Sequence, residues 1–274
     1  MAKDIDKYFR QDKLPHIWCS GCGHGTIMSS MVRAIDEIGF DQDKTVIVSG
    51  IGCSGRAPGY LDFNTLHVTH GRAITYATGV KMSNPELEVI VVTGDGDGAA
   101  IGGNHLIHGC RRNIDINVVL FNNNIYGMTA GQFSPQTPTG CTATTAPYGN
   151  IDQNFDLCSL ARSAGATFVA RSGSAYPRKL NKVLQSAFEH DGFSFVEAMS
   201  QCPVNFGRRN DIGNAVDMLR WQKDLIIDQE KYEELSAEEQ EEKLPAGILY
   251  QDEKEEYTQK YDKLIKEAKS GAGE

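Results

Sequence analysis

The chain has 274 residues, 40% of them apolar, with 28 glycines, seven cysteines and a net charge of −9. That length suits one large domain, or one domain with an appendage, and the acidic balance argues against a nucleic-acid partner. No apolar run reaches the ~18 residues of a membrane span, and the polar stretch 1–15 lacks the apolar core of a signal peptide.

The cytoplasm is therefore the expected location. Seven cysteines there do not suggest a disulfide framework, so metal or redox chemistry has to be considered.

Residues 1–23 read as an arm carrying Trp18-Cys19-Ser20-Gly21-Cys22-Gly23. Ile27, Met31, Ala34, Ile35 and Ile38 recur at helical spacing and predict a helix over 24–38, stopped by Gly39. Residues 45–49 read as a buried strand that ends on the loop Gly50-Ile51-Gly52-Cys53-Ser54-Gly55-Arg56, and residues 72–82 as a helix. A second buried strand, 87–93, runs into Gly94-Asp95-Gly96-Asp97-Gly98, which is too rich in glycine for the interior of an element. A helix over 99–112 and a strand over 116–121 follow, and the strand ends on Asn122-Asn123-Asn124. Residues 125–150 are irregular, and a stretch of that length in a compact domain is usually functional. Helices over 157–165 and 175–190 then alternate with strands over 167–170 and 193–198. The alternation predicts an α/β fold with a mostly parallel sheet covered by helices on both faces. From Asp217 the chain is charged and helix-prone. The expected division is an arm (1–23), one cofactor domain (24–210) and a helical C-terminal extension (211–274).

Ligands of open α/β sheets bind at the C-terminal ends of the strands, where Asp95 and the asparagines stand. A turn before a helix suits a phosphate. A carboxylate there repels phosphate, unless a Mg²⁺ ion joins the two through oxygen ligands. The three asparagines offer carbonyl oxygens to the same ion, and 25 residues lie between Gly96 and Asn122. Asp95 and Asp97 capping the following helix is the plainer alternative.

Cys19 and Cys22 form a C-x-x-C, which alone fits zinc, a redox dithiol or an iron–sulfur ligand pair. Cys53 lies in the loop after the first strand, and Cys202 follows the strand over 193–198, so both fall at the same sheet edge. Cys110 and Cys158 fall within helices and read as core packing; Cys141 lies in the long loop. Zinc brings no redox chemistry to an organic cofactor, which favours iron–sulfur from residue types alone.

The Gly94-Asp95-Gly96 turn followed at this distance by Asn122-Asn123 resembles the signature of thiamine diphosphate enzymes. By position, that resemblance implies Mg²⁺ ligands at Asp95, Asn123 and the backbone carbonyl of Ile125. Further motifs stand in order: Trp18-Cys-Ser-Gly-Cys-Gly-His24, Gly50-Ile-Gly-Cys-Ser-Gly-Arg56, His70-Gly-Arg-Ala73, Gly94-Asp-Gly-Asp97, Ile101-Gly-Gly-Asn-His105, and Asn122-Asn-Asn-Ile-Tyr-Gly-Met-Thr-Ala-Gly-Gln132 before Ser134-Pro135. Over residues 15–210 they resemble the β subunit of a 2-oxoacid:ferredoxin oxidoreductase. The Ser54-Gly55-Arg56 and Phe63-Asn-Thr-Leu-His67 contexts point to the 2-oxoglutarate type.

The resemblance implies a thiamine diphosphate-binding fold and a [4Fe–4S] cluster on Cys19, Cys22, Cys53 and Cys202. It implies a cofactor cradle of Ile51, Gly52, Cys53, Ser54, His70, Gly94, Asp95, Gly96, Asp97, Asn123, Gly127, Met128 and Thr129. His70, Arg56 and Thr129 are the residues expected to meet the reacting groups. Arg56 offers a planar donor fork for a second substrate carboxylate. The implied reaction is oxidative decarboxylation of 2-oxoglutarate with coenzyme A to succinyl-CoA and CO₂, with electrons passing singly to ferredoxin, in either direction. Pyruvate as substrate and a non-oxidative thiamine-dependent decarboxylase subunit are the alternatives, as is a zinc-stabilised binding protein. The glutamate that activates thiamine belongs to a pyrimidine-binding domain not evident here. An α subunit is expected to supply it, in an (αβ)₂ assembly.

Overall fold

The computed structural model describes residues 5–271; residues 1–4 of the expected arm and 272–274 of the expected extension lie outside the described residues. Helix α1 (His24–Ile38) buries Ile27, Met31 and Ile35 on one face. It closes where the Gly39 N–H reaches the Ile35 carbonyl at 3.0 Å, with Gly39 in the left-handed region. Strands β1 (Thr45–Ser49), β3 (Glu88–Gly94), β4 (Ile116–Asn122), β5 (Phe168–Gly173) and β6 (Phe193–Met199) are almost wholly buried. Continuous apolar runs of this kind fit strands covered on both faces. With β2 (Asn64–His67), β7 (Ile226–Asp228) and β8 (Leu244–Gln251), they form one sheet in the order β2-β1-β3-β4-β6-β5-β8-β7. Every pair from β2 to β5 is parallel.

Two apolar layers sandwich the sheet. On one face α1 and α6 (Pro177–Phe188) set Ile27, Met31, Leu180 and Leu184 against Ile47, Ile90 and Val119. On the other, α3 (Ala73–Ser83), α4 (Gly103–Arg112) and α5 (Leu157–Ala164) set Ala77, Leu106 and Leu157 against Val48, Val91 and Phe195. Cys110 and Cys158 lie in this second layer, as the sequence suggests. Among the described residues no helix is long and apolar enough to cross a membrane.

The structure departs from expectation at two places. The helix expected from residue 99 starts at Gly103, because Asp95–Ile101 winds as a wider π-type turn. Such turns cluster at functional sites. The C-terminal extension is not wholly helical: besides α7 (Ala215–Leu225), α8 (Gln229–Glu233), α9 (Ala237–Glu241) and α10 (Tyr257–Gly271), it contributes β7 and β8. Strand β8 runs antiparallel along β5, with a bulge at Val169/Ala170, and covers an edge that would otherwise present unpaired backbone. Leu249 and Tyr250, at the end of a short uncharged run in an otherwise charged tail, pack against the second layer.

Phe195 is fully buried in that layer. Phe195→Ala is expected to lower the unfolding free energy by about 3–5 kcal/mol, read from the shift of the chemical denaturation midpoint.

Candidate functional site

The chain passes from β1 outward to β2 and then back to β3. A crevice opens at such a reversal, beyond the C-terminal strand ends. One buried side chain ties its loops together. Asp97 Oδ1 accepts from the Ile51 N–H (3.1 Å), the Gly71 N–H (2.8 Å) and His70 Nδ1 (2.5 Å), while Oδ2 accepts from Thr93 Oγ1 (2.6 Å). Asp97 lines the crevice, as expected of a cradle residue, but both its oxygens are engaged by the protein. With Nδ1 held by the carboxylate, Nε2 is the His70 atom free for other partners. Gly50 has to lack a side chain here, because a Cβ would lie 2.0 Å from Asp97 Oδ2.

Asp95 is treated differently. It accepts from Ser134 Oγ at 2.5 Å, and burial pushes its carboxyl up to about 7 against that bond. One atom of the Asn123 amide lies 2.7 Å from the Ile125 carbonyl oxygen and 3.2 Å from Asp95 Oδ1. If that atom is nitrogen, it donates to both; if it is oxygen, three oxygens face one another with no donor between them. Ser134 also fixes the loop that follows, accepting from the Gln136 N–H at 3.2 Å. The Tyr126 hydroxyl donates to the Gly96 carbonyl at 3.1 Å, and a Cβ on Gly96 would lie 2.2 Å from the tyrosine ring.

The crevice holds a cavity of about 110 Å³. Its wall brings together Ile51, Gly52, Cys53, Ser54, His70, Gly94, Asp95, Gly96, Asp97, Asn123, Ile125, Gly127, Met128 and Thr129, all singled out from sequence. Arg56 stands outside this wall on an exposed turn, near enough that its charge opposes the upward pull on the Cys53 thiol. His24, Phe121 and Tyr126 line the cavity without having been assigned a role. His24 is buried, bonds Ser200 Oγ through Nδ1 at 2.8 Å, and is held neutral by burial, its imidazole pushed down to about 3. His24 and Tyr126 belong to the sequence motifs and Phe121 adjoins one, which was the available signal.

The four cysteines converge on one side of this wall. The Cβ position of Gly127 lies 3.3 Å from Cys53 Sγ, 3.5 Å from the Asn123 amide and 3.8 Å from Cys202 Sγ. Burial pushes the Cys22 thiol up to about 12 and that of Cys53 to about 11, and raises Cys202. Each of these three would also feel a charge on Cys19. Trp18 Nε1 donates to the Cys53 carbonyl at 2.8 Å, so the arm is pinned to the loop after β1. Among the described residues no group of three or more His, Cys, Asp or Glu side chains is gathered closely enough for a single metal ion.

Residues 50–198 match the family described as thiamine pyrophosphate enzyme, C-terminal TPP binding domain. The match spans the strand-end loops around the cavity, and fold and site together define a thiamine diphosphate-binding domain. Over 264 residues the chain is 50% identical to the 2-oxoglutarate synthase subunit KorB of Methanocaldococcus jannaschii, spanning 96% of this chain and 98% of that one. It is 44% identical over 190 residues to the 2-oxoacid:ferredoxin oxidoreductase subunit beta of Saccharolobus solfataricus, spanning 68% and 62%. A solved structure, the 2-oxoglutarate:ferredoxin oxidoreductase from Magnetococcus marinus with 2-oxoglutarate, coenzyme A and succinyl-CoA bound, is similar at a TM-score of 0.86 and 35% identity, covering 97% of this chain and 91% of that one. The chain belongs to the 2-oxoacid:ferredoxin oxidoreductase family, as a β subunit.

Gly50→Ala forces a methyl group against Asp97 and has to break at least one bond of the clamp. Thiamine diphosphate binding is expected to weaken about tenfold, the worth of one charge-assisted hydrogen bond of ~1.5 kcal/mol. Calorimetric titration checks it, with circular dichroism confirming the fold.

Proposed function

We propose that this β subunit carries out thiamine-dependent oxidative decarboxylation of 2-oxoglutarate with coenzyme A, giving succinyl-CoA and CO₂ and passing electrons to ferredoxin. The observation that carries it is the meeting of two sets of groups at Gly127: the Asn123 amide, which lies against the Asp95 carboxylate and the Ile125 carbonyl, and the thiols of Cys53 and Cys202.

The oxygens of Asp95, Asn123 and Ile125 fit a hard divalent ion such as Mg²⁺, which prefers oxygen ligands and joins carboxylates to phosphates. A cation there supplies the positive charge that buried Asp95 lacks and lets the Asn123 amide turn its oxygen inward. The amide-rich turn after β3 and Gly96, free of a side chain, accommodate a diphosphate. Thiamine diphosphate, when bound, supplies the carbon nucleophile for the 2-oxo carbon. His70, fixed through Nδ1, leaves Nε2 to donate to or accept from the reacting groups, and the Thr129 hydroxyl stands at the same cavity. Arg56, beside this wall, is suited to the second carboxylate of 2-oxoglutarate; a cavity wall without that cation would suit pyruvate equally.

The thiols of Cys19, Cys22, Cys53 and Cys202 are spread too widely for one ion and suit a polynuclear [4Fe–4S] cluster, which supplies one-electron acceptance. Burial raises the thiols of Cys22, Cys53 and Cys202, and the positive charge of a cluster's iron would oppose that rise. The cavity is well under the ~300–1,000 Å³ of a closed small-molecule site, which supports a second chain completing it. That chain is an α subunit bringing the thiamine-activating glutamate, in an (αβ)₂ assembly. Within this subunit, residues 24–210 are the cofactor domain, with the arm 1–23 presenting the C-x-x-C and 211–274 an extension.

Anaerobically purified αβ enzyme is expected to be brown, with broad visible absorption that Cys53→Ala removes; a colourless protein holding zinc would overturn the cluster assignment. Asp95→Ala is expected to abolish Mg²⁺-dependent thiamine diphosphate binding while leaving the colour. In turnover assays, 2-oxoglutarate is expected to outpace pyruvate, and Arg56→Ala to narrow the difference by raising KM for 2-oxoglutarate alone.

A further inference from the structure

The residue immediately before the converging oxygens has no place in the cavity wall, yet it organises them. Asn122 is buried; its Nδ2 donates to Glu197 Oε1 at 2.7 Å, and its Oδ1 accepts from the Asn124 N–H at 3.0 Å. Asn124 has a φ of 62°, a conformation uncommon outside glycine. The turn is therefore held by side-chain bonds. That turn carries the Asn123 amide and the Ile125 carbonyl.

Glu197 lies on β6, directly across from Leu120 of β4 and Arg171 of β5. Glu197 and Arg171 are 1% and 3% exposed. Glu197 Oε2 accepts from Arg171 Nε at 2.8 Å. Arg171 then donates through Nη2 to Asp156 Oδ1 and through Nη1 to the carbonyl of Pro245 on β8, both at 3.1 Å. A continuous set of bonds thus runs from the C-terminal strand to the Asn122 turn.

A buried ion pair is often no more stabilising than apolar residues of the same volume. Stability alone does not account for this one. A carboxylate can accept from Arg171 on one oxygen and from Asn122 on the other; a glutamine offers a single acceptor oxygen and sets its amide donors against one of those two partners.

We propose that Glu197 is a positioning residue for the cation site, its two oxygens tying the Asn122 turn to Arg171 and, through Arg171, to strand β8. The inference rests on the reading of Asp95, Asn123 and Ile125 as Mg²⁺ ligands. Partners bonded to metal ligands typically set metal affinity by about 10–100-fold, and Glu197 acts through the turn that carries two of them.

The test uses the assembled enzyme, stripped of metal and cofactor by a chelator, with equilibrium dialysis of thiamine diphosphate across a Mg²⁺ series. Asn122→Ala cuts the link and leaves the ion pair intact. The double change Arg171→Met with Glu197→Met removes the pair without stranding a buried charge. In both, the half-saturating Mg²⁺ concentration is expected to rise about 10–100-fold, with binding restored at saturating Mg²⁺. A lower melting temperature with half-saturating Mg²⁺ unchanged within about twofold would mark the pair as merely structural and overturn the proposal. If the double variant does not fold, Glu197→Gln, which leaves the Asn122–Asn124 bond in place but cannot accept from both Arg171 and Asn122, decides the matter on the same Mg²⁺ series. Failure of the underlying ligand assignment reads differently: the unaltered enzyme would then bind thiamine diphosphate with no dependence on Mg²⁺.

Discussion

The cofactor crevice depends on four hydrogen bonds to one buried carboxylate. Asp97 gathers donors from the loop after β1, the loop before α3 and the end of β3. None of these loops has regular structure of its own to fix it there. A buried charge is tolerable only when donors surround it, and here the donors are the very groups whose placement forms the crevice wall. The requirement is mutual: Gly50 has to be bare for the carboxylate to fit, and the carboxylate has to be present for His70 to be oriented.

Asp95, two residues away, accepts from Ser134 Oγ and from backbone N–H groups, yet among the described residues no cationic side chain stands against it. Burial raises its folded-state value from 3.8 to about 7. A raised value means that its favourable contribution is present below the ordinary carboxylate range and is lost as pH rises through about 7. Near neutrality the chain therefore carries a carboxylate whose ionisation the fold opposes, and a cation against its oxygen reverses the sign. The Gly-Asp-Gly-Asp motif thus divides its labour. Its second aspartate holds the crevice loops together, and its first faces the cavity beside the Asn123 amide.

The parts legible in the sequence were those encoded locally. Buried parallel strands announce themselves as unbroken apolar runs, as in residues 89–92, because both faces are covered. The Asp95 and Asn123 motifs are short and stand at strand ends, so the topology alone brings them to one edge. The role of Asp97 was not legible, since its donors come from residues 51, 70, 71 and 93 and only the folded chain brings them together. Strand β8 was hidden for another reason: its short apolar run is broken by Pro245 and Gly247 and set in a charged, helix-prone tail, and its partner is the edge of β5, about 80 residues earlier. The Glu197–Arg171 pair was hidden likewise, two charges inside strands that otherwise read as apolar.

Gly127 is where the two halves of the site meet. A Cβ on it would lie 3.3 Å from Cys53 Sγ, 3.5 Å from the Asn123 amide and 3.8 Å from Cys202 Sγ. A branched side chain at this position would push these groups apart. One-electron transfer falls steeply with distance, whereas holding thiamine diphosphate does not require thiols nearby at all. Close packing of the Asn123 amide and the thiols is what electron transfer through these cysteines would require and a storage or non-oxidative role would not. The same reasoning explains the arm: Trp18 fastens it to the Cys53 carbonyl, so the cysteines flanking that tryptophan are held to the loop that also forms the cofactor wall.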